Sequence, residues 1–200
     1  MRAYAVILLA LPGLARAEEP PAPEIDARVE NRLVQKRDRF DVSAGAAWLM
    51  RNDFYRHPGL ALGAGYWIRE WVSAEVVGDV YASVETDELK QVRMATGFVP
   101  DSRKERGALM GGGRISLAYG KLLFGHHVLR FDPQWFLHAG VHFAENNVGP
   151  MGDTGLSLAM WPSARFQVRL DMAFVVQREA RTDWVTVLGF QPALSLGFLL

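Results

Sequence analysis

Two hundred residues, half of them hydrophobic, with 22 basic side chains against 22 acidic ones, are enough for one domain and carry no net charge to draw the chain to nucleic acid. The absence of cysteine excludes a disulfide framework, a thiolate metal site and a cysteine nucleophile. Fold and function must therefore be read from the pattern of apolar and polar residues.

The chain opens with Arg2, an apolar run over residues 3–11, a Pro12-Gly13 break and Ala15-Arg16-Ala17 before Glu18. This pattern is a secretory leader, residues 1–17, cut after Ala17. The run is far shorter than the ~20 apolar residues of a spanning helix, and no later stretch comes nearer. A membrane crossing would have to use strands. Residues 18–38 follow as a linker: 18–23 is acidic and proline-rich, and 24–39 is charged, with Ile25, Val29 and Leu33 at helical spacing. A short periplasmic helix and a solvated lead-in both fit this segment, and it is assigned no site role.

From residue 39 onward the period is two. Between 72 and 84 the even positions Val72, Ala74, Val76, Gly78, Val80, Ala82 and Val84 are apolar, while Ser73, Glu75, Asp79, Tyr81 and Ser83 alternate with them. Between 165 and 176, Phe166, Val168, Leu170, Met172, Phe174 and Val176 oppose Arg165, Gln167, Arg169 and Asp171. Weaker copies cover 40–51, 57–68, 109–119, 131–143, 154–161 and 185–200. Eight strands result, an even number that closes into an up-and-down antiparallel barrel over residues 39–200. With strand one starting in the periplasm, the external connections are 52–56, 85–108, 144–153 and 177–184, and the periplasmic ones are 69–70, 120–130 and 162–164.

Alternation is shared by soluble lipocalin-like barrels, whose apolar face points inward. Three features place lipid outside here. Unlike charges, Glu75 and Asp79 against Arg114 and Arg169, share the polar face. The aromatics Trp48, Tyr66, Trp67, Trp71, Tyr119, Trp161, Trp184 and Phe198 fall near strand ends, as interfacial girdles do. The chain also ends on its last strand with Phe198 and Leu200 on the apolar face. The expected fold class is thus an all-β, closed, transmembrane barrel of about eight strands in a bacterial outer membrane.

Several strings carry a resemblance: Glu30-Asn31-Arg32-Leu33 with Lys36 and Arg39-Phe40, Arg56-His57-Pro58-Gly59, Glu70-Trp71, Tyr119-Gly120-Lys121, Phe131-Asp132 and Ala139-Gly140. Over residues 30–200 the sequence resembles the outer-membrane β-barrel domain family typical of myxobacteria and their relatives. The resemblance implies the barrel fold, an envelope location and, for some members, association with gliding machinery or other envelope complexes. It implies no catalytic residue.

Candidate chemistry is sparse. His138 and His142 share a face with Asp132 and Gln134, where hydrogen-bonded lumen residues are the simpler reading than a metal or acid–base site. A lipid hydrolase would need Ser, His and an acid together, and only Ser157 could reach these histidines through strand pairing. His126-His127 falls in a turn, and Gly111-Gly112-Gly113 lacks the Lys-Ser/Thr and helix of a phosphate cradle. The inward Glu75, Asp79, Arg114, Asp132, Arg169 and Asp171 are expected to form a lumen ion-pair network that plugs a narrow barrel. No cofactor, metal or catalytic residue is assigned. The expected partners are outer-membrane lipid and lipopolysaccharide, the barrel-assembly machinery during insertion, and an envelope protein complex, with no nucleic acid. The expected function is a non-enzymatic structural or docking barrel; a lipid-A-modifying hydrolase and a small pore are the alternatives.

Overall fold

The computed structural model describes residues 34–51, 53–97, 103–124, 127–181 and 183–200. The leader at 1–17 and residues 18–33 of the linker lie outside the described residues, as does His126. The elements in chain order are β1 (Arg39–Arg51), β2 (Tyr55–Arg69), β3 (Val72–Tyr81), β4 (Val84–Glu85), α1 (Asp87–Thr96), β5 (Glu105–Ser116), β6 (Gly120–Phe124), β7 (His127–Ala144), β8 (Asn147–Trp161), β9 (Phe166–Ala180) and β10 (Trp184–Leu199).

Eight of these strands close a ring: β1, β2, β3, β5, β7, β8, β9 and β10, every neighbour antiparallel. β1 pairs β2 from Arg39↔Trp67 to Leu49↔His57, and on its other edge pairs β10 from Asp41↔Leu199 to Arg51↔Gly189. Closure leaves the wall without an edge, which a hydrocarbon environment demands because an unpaired N–H or C=O there costs several kcal/mol.

Burial along the strands settles which face meets lipid. The apolar residues point out: Leu60 is 61% exposed, Val76 54% and Leu194 54%. The charged ones point in: Arg114 is 2% exposed, Asp79 3% and Asp132 0%. A lipocalin-like barrel has the reverse arrangement, so this is a transmembrane barrel. On β1 the outward apolar positions run from Phe40 to Met50; at about 3.3 Å per residue and a tilt of about 40° that stretch rises about 25 Å, the height of the apolar band of such barrels.

The strands extend further than the alternation predicts. The expected 144–153 loop is a turn at Glu145 and Asn146, with Asn146 in the left-handed region at φ 56. Residues 147–153, rich in Gly and Pro, pair with β7 as strand. The expected 177–184 loop shrinks because β9 and β10 stay paired out to Ala180↔Trp184. The 85–108 loop also holds structure. Glu85 belongs to β4, which pairs β2. α1 is capped by Thr86, whose side chain accepts from the Leu89 N–H, and ends at Gly97 with φ 70. β5 begins at Glu105 and stops at Ser116, leaving 117–119 outside the strand. The expected 120–130 turn is a two-stranded ribbon, β6 against the start of β7. Two aromatics of the expected girdle, Trp67 and Trp161, instead face the lumen at 3% and 1% exposure.

The run Gly111-Gly112-Gly113 alternates with the pleat. A Cβ on inward Gly112 would lie 2.0 Å from the Leu137 carbonyl oxygen, whereas one on outward Gly111 meets nothing closer than 4.0 Å. These glycines serve close packing of the wall. Gly112→Ala is expected to destabilise the barrel by about 1–3 kcal/mol through overpacking, while Gly111→Ala stays within about 0.5 kcal/mol; urea unfolding of the two variants in lipid vesicles measures the difference.

Candidate functional site

The polar side chains fill the lumen at three levels. At the end where β1 begins and β10 finishes, Val34 and Lys36 enter the mouth. Lys36 Nζ donates to Asp132 Oδ2 at 2.6 Å and to Ser116 Oγ at 3.2 Å, and lies 4.0 Å from the Trp67 ring centre. Ser116 Oγ donates to the other Asp132 oxygen, and Gln134 Nε2 donates to Oδ2 at 2.8 Å. Glu70, in the β2–β3 turn, accepts the N–H groups of Lys36 and Arg37, both at 3.1 Å. Val34, Trp67, Ala159, Trp161 and Leu199 pack together as an apolar seal. At the described end of the linker Val34 and Lys36 are buried in the mouth, while Gln35, Arg37 and Asp38 are exposed.

Halfway up, Arg114 spans the lumen. Its Nε donates to Glu75 Oε1 at 2.9 Å and its Nη1 to Asp171 Oδ1 at 3.3 Å, with the guanidinium carbon 4.8 Å from the Phe136 ring centre. Arg169 Nε donates to Asp171 Oδ2 at 3.1 Å, and its Nη2 to Ser43 Oγ at 3.2 Å. His138 bridges two carboxylates, with Nε2 2.8 Å from Glu75 Oε1 and Nδ1 2.7 Å from Asp153 Oδ1. Above this level lies an apolar layer that includes Leu49, Met110, Met151 and Val175.

The opposite mouth is closed by Arg51. Its Nη1 donates to Glu105 at 3.0 Å and to Glu179 at 2.5 Å, and its Nη2 to Asp53 at 2.5 Å and to the Arg103 carbonyl at 2.8 Å. His142 sits 3.1 Å from Glu105 Oε1 and, through Nε2, donates to the Arg178 carbonyl at 3.0 Å. His57 lies between Ser83 Oγ, at 2.7 Å from Nδ1, and Asp53 Oδ2, at 3.2 Å from Nε2.

The last arrangement has the membership of a hydrolytic triad but not its geometry or place. Ser83 Oγ donates to the Glu105 carbonyl, so in this arrangement His57 Nδ1 donates to the hydroxyl and does not take its proton. His57 is 0% exposed and points into the lumen, away from the lipid-facing rim where a lipid substrate would lie. Ser157 pairs in register with Gln134, four residues from His138, and its hydroxyl has no hydrogen-bond partner among the described residues. Among the described residues no group of three or more His, Cys, Asp or Glu is placed to hold a metal ion.

Of the six residues expected in one ion-pair network, Glu75, Arg114, Arg169 and Asp171 are joined directly. Asp132 is one level lower, on Lys36. Asp79 makes no ion pair among the described residues; its Oδ2 accepts from Tyr81 at 3.0 Å and from Gln191 Nε2 at 3.1 Å. Sequence reasoning missed Lys36, Arg51, His57, Glu105, Asp153 and Glu179. For Asp153 and Glu179 the signal was the same inward parity continued past the expected strand ends, and Arg51 already stood on the polar face of the expected first strand; Glu105 turns inward only because a bulge between Glu105 and Gly107 reverses the parity of β5. Lys36 lies before β1, and nothing local to it announces burial.

Arg114→Ala leaves Glu75 buried without its guanidinium and Asp171 with Arg169 alone, and is expected to cost about 3–5 kcal/mol. Charge reversal at Arg114 combined with Glu75→Arg should recover part of that loss in the same vesicle unfolding assay. A second expectation concerns acid. Burial pushes the Asp53 carboxyl upward, but the His57 hydrogen bond, Arg51 and the Tyr55 N–H outweigh it, so this group, in the connection outside the spanning strands, sits below its ordinary value of 3.8. A depressed carboxyl stabilises the fold above its unfolded value, and the contribution disappears as pH falls through the folded value. The Arg51 clasp should therefore loosen below about pH 4, and Asp53→Asn should remove that part of the acid sensitivity, read by hydrogen exchange of the β1–β2 connection.

No family model matches the chain, and no curated protein matches it. Among solved structures it is similar to a chain described as "De novo design of transmembrane beta-barrels", at 12% identity over 84% of this chain and 99% of the other, with a TM-score of 0.41. It is also similar to the N-terminal β-barrel domain of Pseudomonas aeruginosa OprF, at 13% identity over 83% and 100% of the two chains and a TM-score of 0.40. A third likeness is to Ail, the attachment invasion locus protein of Yersinia pestis, at 8% identity over 82% and 99% and a TM-score of 0.38.

Proposed function

We propose that this chain is a non-enzymatic barrel of the bacterial outer membrane, acting as a structural or docking component of the cell envelope. The observation that carries the reading is the obstruction of the lumen by hydrogen-bonded side chains at successive levels: Lys36 on Asp132, Arg114 on Glu75 and Asp171, and Arg51 on Asp53, Glu105 and Glu179. The Arg51, Glu105 and Glu179 side chains are 0% exposed. A barrel of eight strands encloses little more than its own side chains, and these are tied to one another. The pore reading is disfavoured for that reason. The hydrolase reading is disfavoured because the Ser83, His57 and Asp53 cluster faces inward with its serine proton already committed.

The outward surface is then what remains for function. The apolar belt takes membrane lipid. Exposed Arg56, Arg106 and Arg178, with Arg178 5.7 Å from the Trp184 ring centre, suit the phosphates of lipopolysaccharide at the Arg51 end. The leader pattern fits export, and insertion would be the work of the barrel-assembly machinery. Kinship with the myxobacterial-type family rests on the residue strings alone, and a docking role in an envelope complex falls to the 82–104 connection that carries α1.

Purified barrel reconstituted in planar bilayers is expected to show no unitary conductance steps, and large, well-resolved steps would overturn the plugged-lumen reading.

A further inference from the structure

The two rims of the barrel differ in charge. At the end where β1 begins, Arg37, Arg39, Arg69, Lys121, Arg130 and Arg165 are exposed or half-exposed. Against them stand Asp38, Glu70 and the carboxylate of Leu200. Asp38 pairs with Arg37 at 3.3 Å, and Glu70 already accepts the N–H groups of Lys36 and Arg37. At the opposite rim surface charges of both signs are paired, Glu85 with Arg93 and Lys104, and Asp87 with Lys90. The end where β1 begins is thus a positively charged rim, at the level where lipid headgroups meet the barrel.

Within this rim Arg165 stands at the head of a groove. It is exposed, and among the described residues no carboxylate lies within 4.0 Å of its guanidinium. Its carbonyl accepts the Leu199 N–H at 2.7 Å, which ties the start of β9 to the end of β10. Two residues earlier, the exposed Ser163 accepts the N–H groups of Arg165 at 3.4 Å and Phe166 at 3.1 Å on its Oγ. Its acceptor positions are taken, so its hydroxyl is left to donate.

Immediately after Arg165 the lipid-facing wall opens into a groove of about 340 Å³ between Phe166 on β9, Leu196 and Phe198 on β10, and Val42 and Ala44 on β1. Strand register explains its shape. Phe166, Phe198 and Val42 form the rung next to the rim, and Val168, Leu196 and Ala44 the following outward rung. Ala44 also pairs with Leu62 on its other side, so it is a low point between two leucines. The groove therefore runs from the rim into the apolar belt, with large side chains as walls and a small one as floor.

We propose that the seam of β9, β10 and β1 is a binding site for one anionic glycerophospholipid, with its phosphate on Arg165 and Ser163 and an acyl chain lying in the groove over Ala44. A guanidinium and a hydroxyl donor suit phosphate oxygens. The excess of positive charge at this rim favours an anionic headgroup over a zwitterionic one, whose ammonium it repels. The site is separate from the lipopolysaccharide contacts at the Arg51 end and rests only on the membrane placement of the barrel.

The test uses folded barrel, recognised by its gel mobility before boiling, in micelles holding equal amounts of phosphatidylglycerol and phosphatidylcholine, and reads bound lipid by native mass spectrometry. One phosphatidylglycerol is expected to stay on each barrel, at several-fold higher occupancy than phosphatidylcholine. Arg165→Gln should abolish that preference, whereas Arg181→Gln at the opposite mouth, an equal change in net charge, should keep it. Ala44→Leu fills the groove on a lipid-facing position without altering charge and should lower phosphatidylglycerol occupancy several-fold. Equal occupancy by the two lipids in the wild-type barrel would overturn the proposal. A preference that Arg165→Gln and Arg181→Gln reduce alike would overturn it in favour of diffuse charge attraction, and one indifferent to Ala44→Leu would overturn the seating of the acyl chain.

Discussion

Everything in this molecule depends on β1 being hydrogen-bonded along both edges. Its pairing with β2 is local, a hairpin closed by a short connection, but its pairing with β10 joins Asp41 to Leu199 across nearly the whole described chain. Without that second ladder two strand edges would stand open in hydrocarbon, where no water can satisfy them. Once the ring is closed, the pleat leaves each side chain only two destinations. The apolar set goes to lipid, and the charged set is driven into a space with little water.

That confinement accounts for the character of the lumen. Long basic side chains reach across and meet carboxylates from distant strands: Arg114 on β5 with Asp171 on β9, Arg51 on β1 with Glu105 on β5 and Glu179 on β9. Each contact ties strands that are not neighbours in the ring, so the lumen does the work that an apolar core does in a soluble domain. Such pairs gain little over a well-packed apolar filling, but removing one member is costly because its partner is left charged and desolvated. Small residues on β10, β1 and β2, among them Ser195, Gly45 and Ala61, give Arg169 room to reach Ser43 and leave a small space beside Asp79.

The two mouths are closed by different means. One receives Lys36 from the segment before β1, held by Glu70 through backbone N–H groups as well as by Asp132. The other is shut by residues from three strands around Arg51. His57 and His142 are both 0% exposed there and serve as hydrogen-bonded struts, with backbone carbonyls taking the Ser83 hydroxyl proton and one His142 N–H. A serine, a histidine and an aspartate thus lie within contact distance at this mouth, with the serine hydroxyl turned to a backbone carbonyl.

The number of barrel strands, the identity of the lipid-facing set and the inward set of Glu75, Asp79, Arg114, Asp132, Arg169 and Asp171 were all legible in the sequence, because strand parity is a local property and lipid tolerates no charge at mid-depth. Strand ends were less legible. Residues 147–153 read as a loop from their glycines and proline, yet pairing with β7 holds them extended, and Asp153 reaches His138 only as a result. Which charges meet was not legible at all. Asp79 and Glu75 have the same parity on the same strand, but β3 carries them to different depths, and only the stagger of the strands around the closed ring puts Glu75 on Arg114 and leaves Asp79 on Tyr81 and Gln191. Parity comes from one strand alone, whereas depth and neighbour come from how eight strands are offset when the ring closes.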